Sequence, residues 1–161
     1  MDVASGILTT LKRAATVLRE HGIAYCLAGG LAVSLLARPR ATEDVDLLVL
    51  LDEPELPGFE ALIRASFEVI QVQPLRRFRN ASIWRFVLGD GKQGLVLLDL
   101  ILADRQEYRT AIAGAREILV DGCPINIIAP RDLIEVKALA GRPVDLLDIE
   151  ALQEAMKSAD I

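Results

Sequence analysis

Histidine occurs once in the 161 residues, cysteine twice, and aromatic side chains make up only 4% of the chain. One histidine removes any site built on several imidazoles. Cys26 and Cys123 stand far apart with no Cys-x-x-Cys or Cys/His spacing, which leaves two buried reduced thiols as the expectation rather than a disulfide or a zinc centre. A basic face is also missing: the formal net charge is −5, which argues against coating nucleic acid by charge alone. Aspartates interrupt every apolar run before the roughly 18 residues a membrane span needs. No basic leader with a long apolar core opens the chain, so a cytoplasmic protein with no membrane partner is expected. A hydrophobic fraction of 52% with 25% charged residues is globular composition, and the length suits a single domain over 1–161.

Periodicity sets out the elements. Ile7, Leu8, Leu11, Ala14, Ala15 and Leu18 predict a helix over about 5–20, with Gly22 past its end as a left-handed cap. Ile23 to Ala28 reads as a strand, Gly29-Gly30 as a tight turn, and Leu31 to Ala37 as a helix stopped by Pro39. Strands follow at 42–51, 67–72, 83–88 and 95–102, with a helix at about 58–66. Gly89 to Gly94 forms a glycine-rich hairpin loop. After a helix at about 104–114, Asp121-Gly122 joins strands 117–120 and 124–128 as a two-residue hairpin. Helices from Pro130 to Gly141 and from Pro143 to Lys157 close the chain. The order predicts an α/β (α+β) fold, a mixed β-sheet with helices packed on one side.

Three acids carry the chemical signal. Asp44 and Asp46 are spaced i, i+2 on a strand, so both side chains point to one face with Cα atoms about 6.6 Å apart. Asp99 interrupts the apolar run Leu95 to Leu102, where a lone carboxylate is costly unless paired or metal-bound. Divalent cations held by hard oxygen ligands meet that need, and two such ions about 3.5–4 Å apart serve in-line phosphoryl chemistry. The other reading makes Asp44 or Asp46 a turn residue and pairs Asp99 with Arg85 on the adjacent strand. Without a basic side chain among them, the three acids would store repulsion. Gly29-Gly30 before a helix lets backbone N–H groups approach a phosphate.

Gly29-Gly30, thirteen residues and then Asp44-Val45-Asp46, with Asp99 later on an apolar strand, resemble the signature of the DNA polymerase β-type nucleotidyltransferase superfamily over about 23–102. Arg40-Ala41-Thr42-Glu43-Asp44-Val45-Asp46 is similar to the R-x-T-x-D-x-D form of its small bacterial members. Asp132-Leu133-Ile134, Lys137, Arg142, Asp145 and Asp148 resemble the tail of AbiEii-like toxins, within a C-terminal hairpin and helices at about 116–158. The glycine pair departs from the Gly-Ser of many members. The resemblance implies a nucleotidyltransferase-like fold and an enzyme that moves a nucleoside monophosphate from an NTP to a hydroxyl. It implies Mg²⁺ or Mn²⁺ on Asp44, Asp46 and Asp99, with Asp99 helping to activate the hydroxyl. Gly29, Gly30, Arg40, Thr42 and Lys137 would face the nucleotide, and the acceptor would be a tRNA, a protein or a small molecule. A toxin–antitoxin role would add an antitoxin partner.

Other readings stay open: a nucleotide- or partner-binding module of the same fold without turnover, or a structural domain with salt-bridged aspartates. Lys137 also reads as an exposed helix residue near Glu135, and Arg142, Asp145 and Asp148 as a helix charge network. Pro74 to Asn80, with Arg76, Arg77 and Arg79, reads as a solvated basic loop or a track for a phosphate chain. Trp84 reads as core, and His21 as a residue complementing the end of the first helix.

Overall fold

The computed structural model describes residues 3–159. The first helix, α1 (Val3–Glu20), buries Ile7, Leu11, Ala14, Ala15 and Leu18 at three- and four-residue steps. It ends as its glycine predicts: Gly22 sits at φ +65° and the Ile23 N–H donates to the Leu18 carbonyl at 2.9 Å. The chain then runs directly from β1 (Tyr25–Ala28) into α2 (Gly29–Leu36). The glycine pair is therefore the first turn of the helix and not a separate turn. Ile23 and Ala24 lie outside β1, and β2 (Asp44–Val49) starts at the first aspartate of the pair.

A single 3-10 turn leads into α3 (Leu56–Ser66), followed by β3 (Val69–Val72), the two-residue β4 (Arg76–Arg77), β5 (Ser82–Gly89) and β6 (Leu95–Leu102). β4 falls within the segment expected to be a loop; its Arg76 and Arg77 pair with Ile83 and Ser82 of β5. After α4 (Gln106–Ala113), β7 (Arg116–Val120) and β8 (Cys123–Ile127) close a hairpin at Asp121 and Gly122, both at positive φ, and α5 (Pro130–Ala140) and α6 (Pro143–Ala159) complete the order.

The strands form one mixed sheet in the order β3-β5-β6-β2-β1-β8-β7, with β4 beside β5. β2 runs parallel to β6 and β1 parallel to β8, while the other pairs are antiparallel. All four residues of β1 are buried. On β5 and β6, Trp84, Phe86, Leu98 and Leu100 are buried, and Phe59 of α3 packs its ring against Trp84 and Phe86. Trp84 is thus core. Burial of this row is the main stabilising term, at roughly 1.5–3 kcal/mol for each large apolar side chain. Both cysteines are free thiols, and burial pushes the Cys26 thiol up to about 12. No helix among the described residues is long and apolar enough to cross a membrane.

Candidate functional site

Strand register builds the site. Asp46 of β2 lies opposite Asp99 of β6, and Asp99 lies opposite Arg85 of β5. Since directly paired residues point to one face, Arg85, Asp99 and Asp46 form a transverse row across three strands. Asp44 joins it two residues along β2. One carboxylate oxygen from each of Asp44, Asp46 and Asp99 lies within 4.8 Å of the others.

Burying and gathering these acids shifts the protonation of Asp44 and Asp46. Burial first, then the charges of Asp99 and Asp44, push the Asp46 carboxyl up to about 7. Asp44 is raised by the same two causes, burial ahead of Asp99. The premise of a row without a base does not hold. Arg85 Nε donates to Asp99 Oδ1 and Nη2 to Asp99 Oδ2, both at 2.7 Å, and Nη2 stands 3.9 Å from Asp44 Oδ2. Asp99 is buried, stands beside the other two acids and pairs with Arg85.

The glycines are explained by their neighbours. Gly29 takes φ +67°, and a Cβ on it would collide with the Asp46 carboxylate. A Cβ on Gly30 would collide with the Arg40 guanidinium. Arg40 therefore fills the space into which a serine at the second position would project. Thr42 Oγ1 receives the Asp44 N–H at 3.3 Å and fixes the entry to β2. These groups line a cleft of about 850 Å³ together with Asp44, Asp46, Lys137 and Arg142, with Leu35 of α2 and Val144 of α6 on its apolar side.

Lys137 is not the exposed helix residue suggested by Glu135. It is buried on the same side of α5 as Leu133, one turn earlier, and its Nζ lies 2.9 Å from Asp148 Oδ2 and 3.4 Å from Asp145 Oδ1. Arg40 Nε reaches the other oxygen of Asp148 at 3.2 Å. Both Asp148 oxygens are buried and neither contact has hydrogen-bond alignment, so these are charge contacts. Asp145 differs. Burial opposes its charge, but the Arg142 side chain and backbone N–H outweigh burial and hold its carboxyl below the usual range. The tail is thus a charge network, as read, with an unforeseen extension to Arg40 beneath the cleft. The spacing Leu133, Lys137 on one helix side was the available signal.

Arg77 of the basic segment pairs with Glu53, while the Asn80 side chain donates to the Leu139 carbonyl at 2.8 Å. His21 Nδ1 lies 2.9 Å from the Val17 carbonyl oxygen at the end of α1, away from the acid row.

The residues present fit a hard divalent cation. Like charges converge, Gly29 lets the Asp46 carboxylate close against the start of α2, and each Asp99 oxygen keeps a lone pair beyond its bond to Arg85. The first N–H groups of α2 open beside them, where an anion is favoured.

No family model matches the chain, and no curated protein matches it in sequence. Solved structures do. An antigenic nucleotidyltransferase-like protein from Paracoccidioides brasiliensis superposes with a TM-score of 0.64 at 21% identity, over 92% of this chain and 75% of that one. The antibiotic-resistance factor ANT(2'')-Ia gives 0.59 at 19% identity, over 99% and 86%. The lincosamide antibiotic adenylyltransferase LnuA gives 0.52 at 15%, over 87% and 92%. A chain whose sheet carries its acids in one row beside a glycine-headed helix therefore has the nucleotidyltransferase fold.

Proposed function

We propose that this protein is a divalent-cation-dependent nucleotidyltransferase that moves a nucleoside monophosphate from an NTP to an acceptor hydroxyl. The convergence of Asp44, Asp46 and Asp99 beside the N-terminus of α2 carries the reading. The acceptor hydroxyl gives up its proton toward Asp99 as its oxygen bonds to the α-phosphorus, the α-phosphorus bond to the α–β bridging oxygen breaks, and pyrophosphate leaves. Asp44, Asp46 and Asp99 are the residues that would hold Mg²⁺ or Mn²⁺. Bound there, the cation would neutralise charge developing on phosphoryl oxygens. The Gly29 and Gly30 N–H groups orient the phosphates, and Arg40, Thr42 and Lys137 line the cleft, with the Lys137 Nζ turned to Asp145 and Asp148 and the Arg40 Nε to Asp148. Asp99 accepts a hydrogen bond from the attacking hydroxyl through a lone pair left by Arg85.

Two structural neighbours, LnuA with lincomycin bound and ANT(2'')-Ia with adenylyl-2''-tobramycin, carry small molecules. They support a small-molecule hydroxyl as acceptor beside a tRNA or protein hydroxyl. Incubation with each α-³²P-labelled NTP, Mn²⁺ and a cell lysate should label one class of molecule, and Asp46→Asn should reduce labelling at least about a hundredfold. Absence of both labelling and Mn²⁺-dependent NTP binding would overturn the proposal. The Arg85 pair on the third acid favours a second reading, nucleotide binding without turnover; NTP binding with no pyrophosphate release identifies it. Resemblance of the tail to AbiEii-like toxins extends the proposal to a cytoplasmic toxin with an antitoxin partner. Growth arrest on expression, relieved by Asp46→Asn, tests that extension.

A further inference from the structure

Arg85 is the charged side chain of the acid row for which the proposed transfer reaction has no use. Its placement is not accidental packing. β5 turns Trp84 and Phe86 into the core and Arg85 to the opposite face, where the register sets it directly across from Asp99. Its Nε and Nη2 take one oxygen each at 2.7 Å, a two-bond fork that a lysine cannot reproduce. The same Nη2 stands 3.9 Å from Asp44. Three ionised carboxylates and one guanidinium leave a formal charge of −2, which matches one divalent ion and no more.

We infer that Arg85 is a positioning residue that serves as the site's resident cation, holding Asp99 in place and opposing divalent binding until a nucleotide brings its own negative charge. This rests on the metal-site reading of the acids and adds a rule for loading: without nucleotide, the cation competes with a charge already built into the sheet. The triphosphate offsets that charge, so nucleotide and metal load together.

The test is Mn²⁺ affinity at pH 8, followed by electron spin resonance of the free ion, with and without a non-hydrolysable NTP analogue. Without nucleotide, Arg85→Gln, which keeps a hydrogen bond to Asp99 but loses the charge, should bind Mn²⁺ about tenfold tighter than the wild type. Arg85→Lys should stay within about threefold of the wild type. With the analogue present, the advantage of Arg85→Gln should shrink. A merely structural role predicts the opposite sign, since a disturbed site binds more weakly. Equal or weaker binding by Arg85→Gln, with Mn²⁺ bound normally by the wild type, overturns the inference and leaves the metal site standing. No Mn²⁺ bound by any form, with or without nucleotide, overturns both. Should Arg85→Gln fail to fold, the wild type still decides. The Nε–H resonance of Arg85, identified by its loss in Arg85→Lys, should shift on adding Mg²⁺ with the analogue; an unmoved resonance at saturation overturns the inference.

Discussion

Asp46 and Asp99 face each other across two strands, yet they stand in opposite electrostatic situations. Burial and its two acidic neighbours push the Asp46 carboxyl up to about 7, so its charge is opposed where it forms. Asp99 has a full guanidinium fork. Replacing them should therefore have opposite effects on the metal-free protein. In EDTA at pH 8, Asp46→Asn removes repulsion and should raise Tm, by about 2–4 °C for each kcal/mol relieved. Asp99→Asn leaves Arg85 without its partner and should lower Tm under the same conditions. Thermal melts of the two variants check the pair, and a fall for both would mean that Asp46 is held by a favourable contact. In Mn²⁺ the advantage of Asp46→Asn should narrow or reverse, because the variant loses a ligand and with it the stabilisation of the loaded fold. The i, i+2 spacing made the Asp44–Asp46 convergence legible in the sequence. A lone carboxylate in the continuous apolar run Leu95 to Leu102 made both candidate partnerships of Asp99 legible too, with the other acids and with Arg85. Choosing between these needed register, since only the alignment of β5, β6 and β2 shows that Asp99 satisfies both at once.

At the scale of elements, α5 and α6 hold the floor of the cleft through buried charge. Lys137 from α5 sits between Asp145 and Asp148 of α6, and Arg40 from the segment before β2 reaches Asp148. Lys137→Met should lower unfolding stability by about 3–5 kcal/mol, because it removes the buried cation shared by Asp145 and Asp148 and leaves them to the more exposed Arg142 and Arg40. Urea unfolding measures this, and a loss under about 1 kcal/mol would show that Arg40 and Arg142 suffice. Helices and long strands were legible here because their periods are strong. Lys137 was less so: a lysine three residues before a helix end is usually solvated, and the acids that bury it lie eight and eleven positions on, across the turn at Gly141. β4 leaves no mark in the sequence for a simpler reason. A strand of two arginines has no alternation to read, and its existence depends on the neighbouring β5. Glycine punctuates chains, so the glycine pair predicts a turn. Here Gly29 instead opens α2, its missing Cβ making room for a carboxylate from another strand.

For the molecule as a whole, the raised acids set the pH dependence of stability. Asp44 and Asp46 carry folded-state pKa values above those of an unfolded chain. Between about pH 4 and 7 the folded protein therefore holds protons that the unfolded chain has released, and this contribution to stability falls as pH rises. Asp145 has the opposite sign: its lowered pKa gives a contribution present above about pH 4 and lost as pH falls below that. Thermal melts in EDTA from pH 5 to 8 should show Tm declining through this range. With Mn²⁺ at a hundred times Kd the gain should approach about 2.7 kcal/mol above pH 7 and shrink toward pH 5, where protonated Asp46 no longer offers its charge. A metal-induced gain independent of pH would separate Asp46 from the cation. The mixed pairing of the sheet has a further consequence, for the route by which the chain folds. β7–β8 and β5–β6 close as local hairpins, but the acid row needs residue 46 beside residue 99, and the wall behind it needs residue 27 beside residue 127. Those parallel pairings close long loops whose entropy must be offset before any contact is gained, so they slow folding and complete late. A cation that bound only the finished row would then act on the unfolding barrier alone, lengthening the life of the folded state without hastening its arrival.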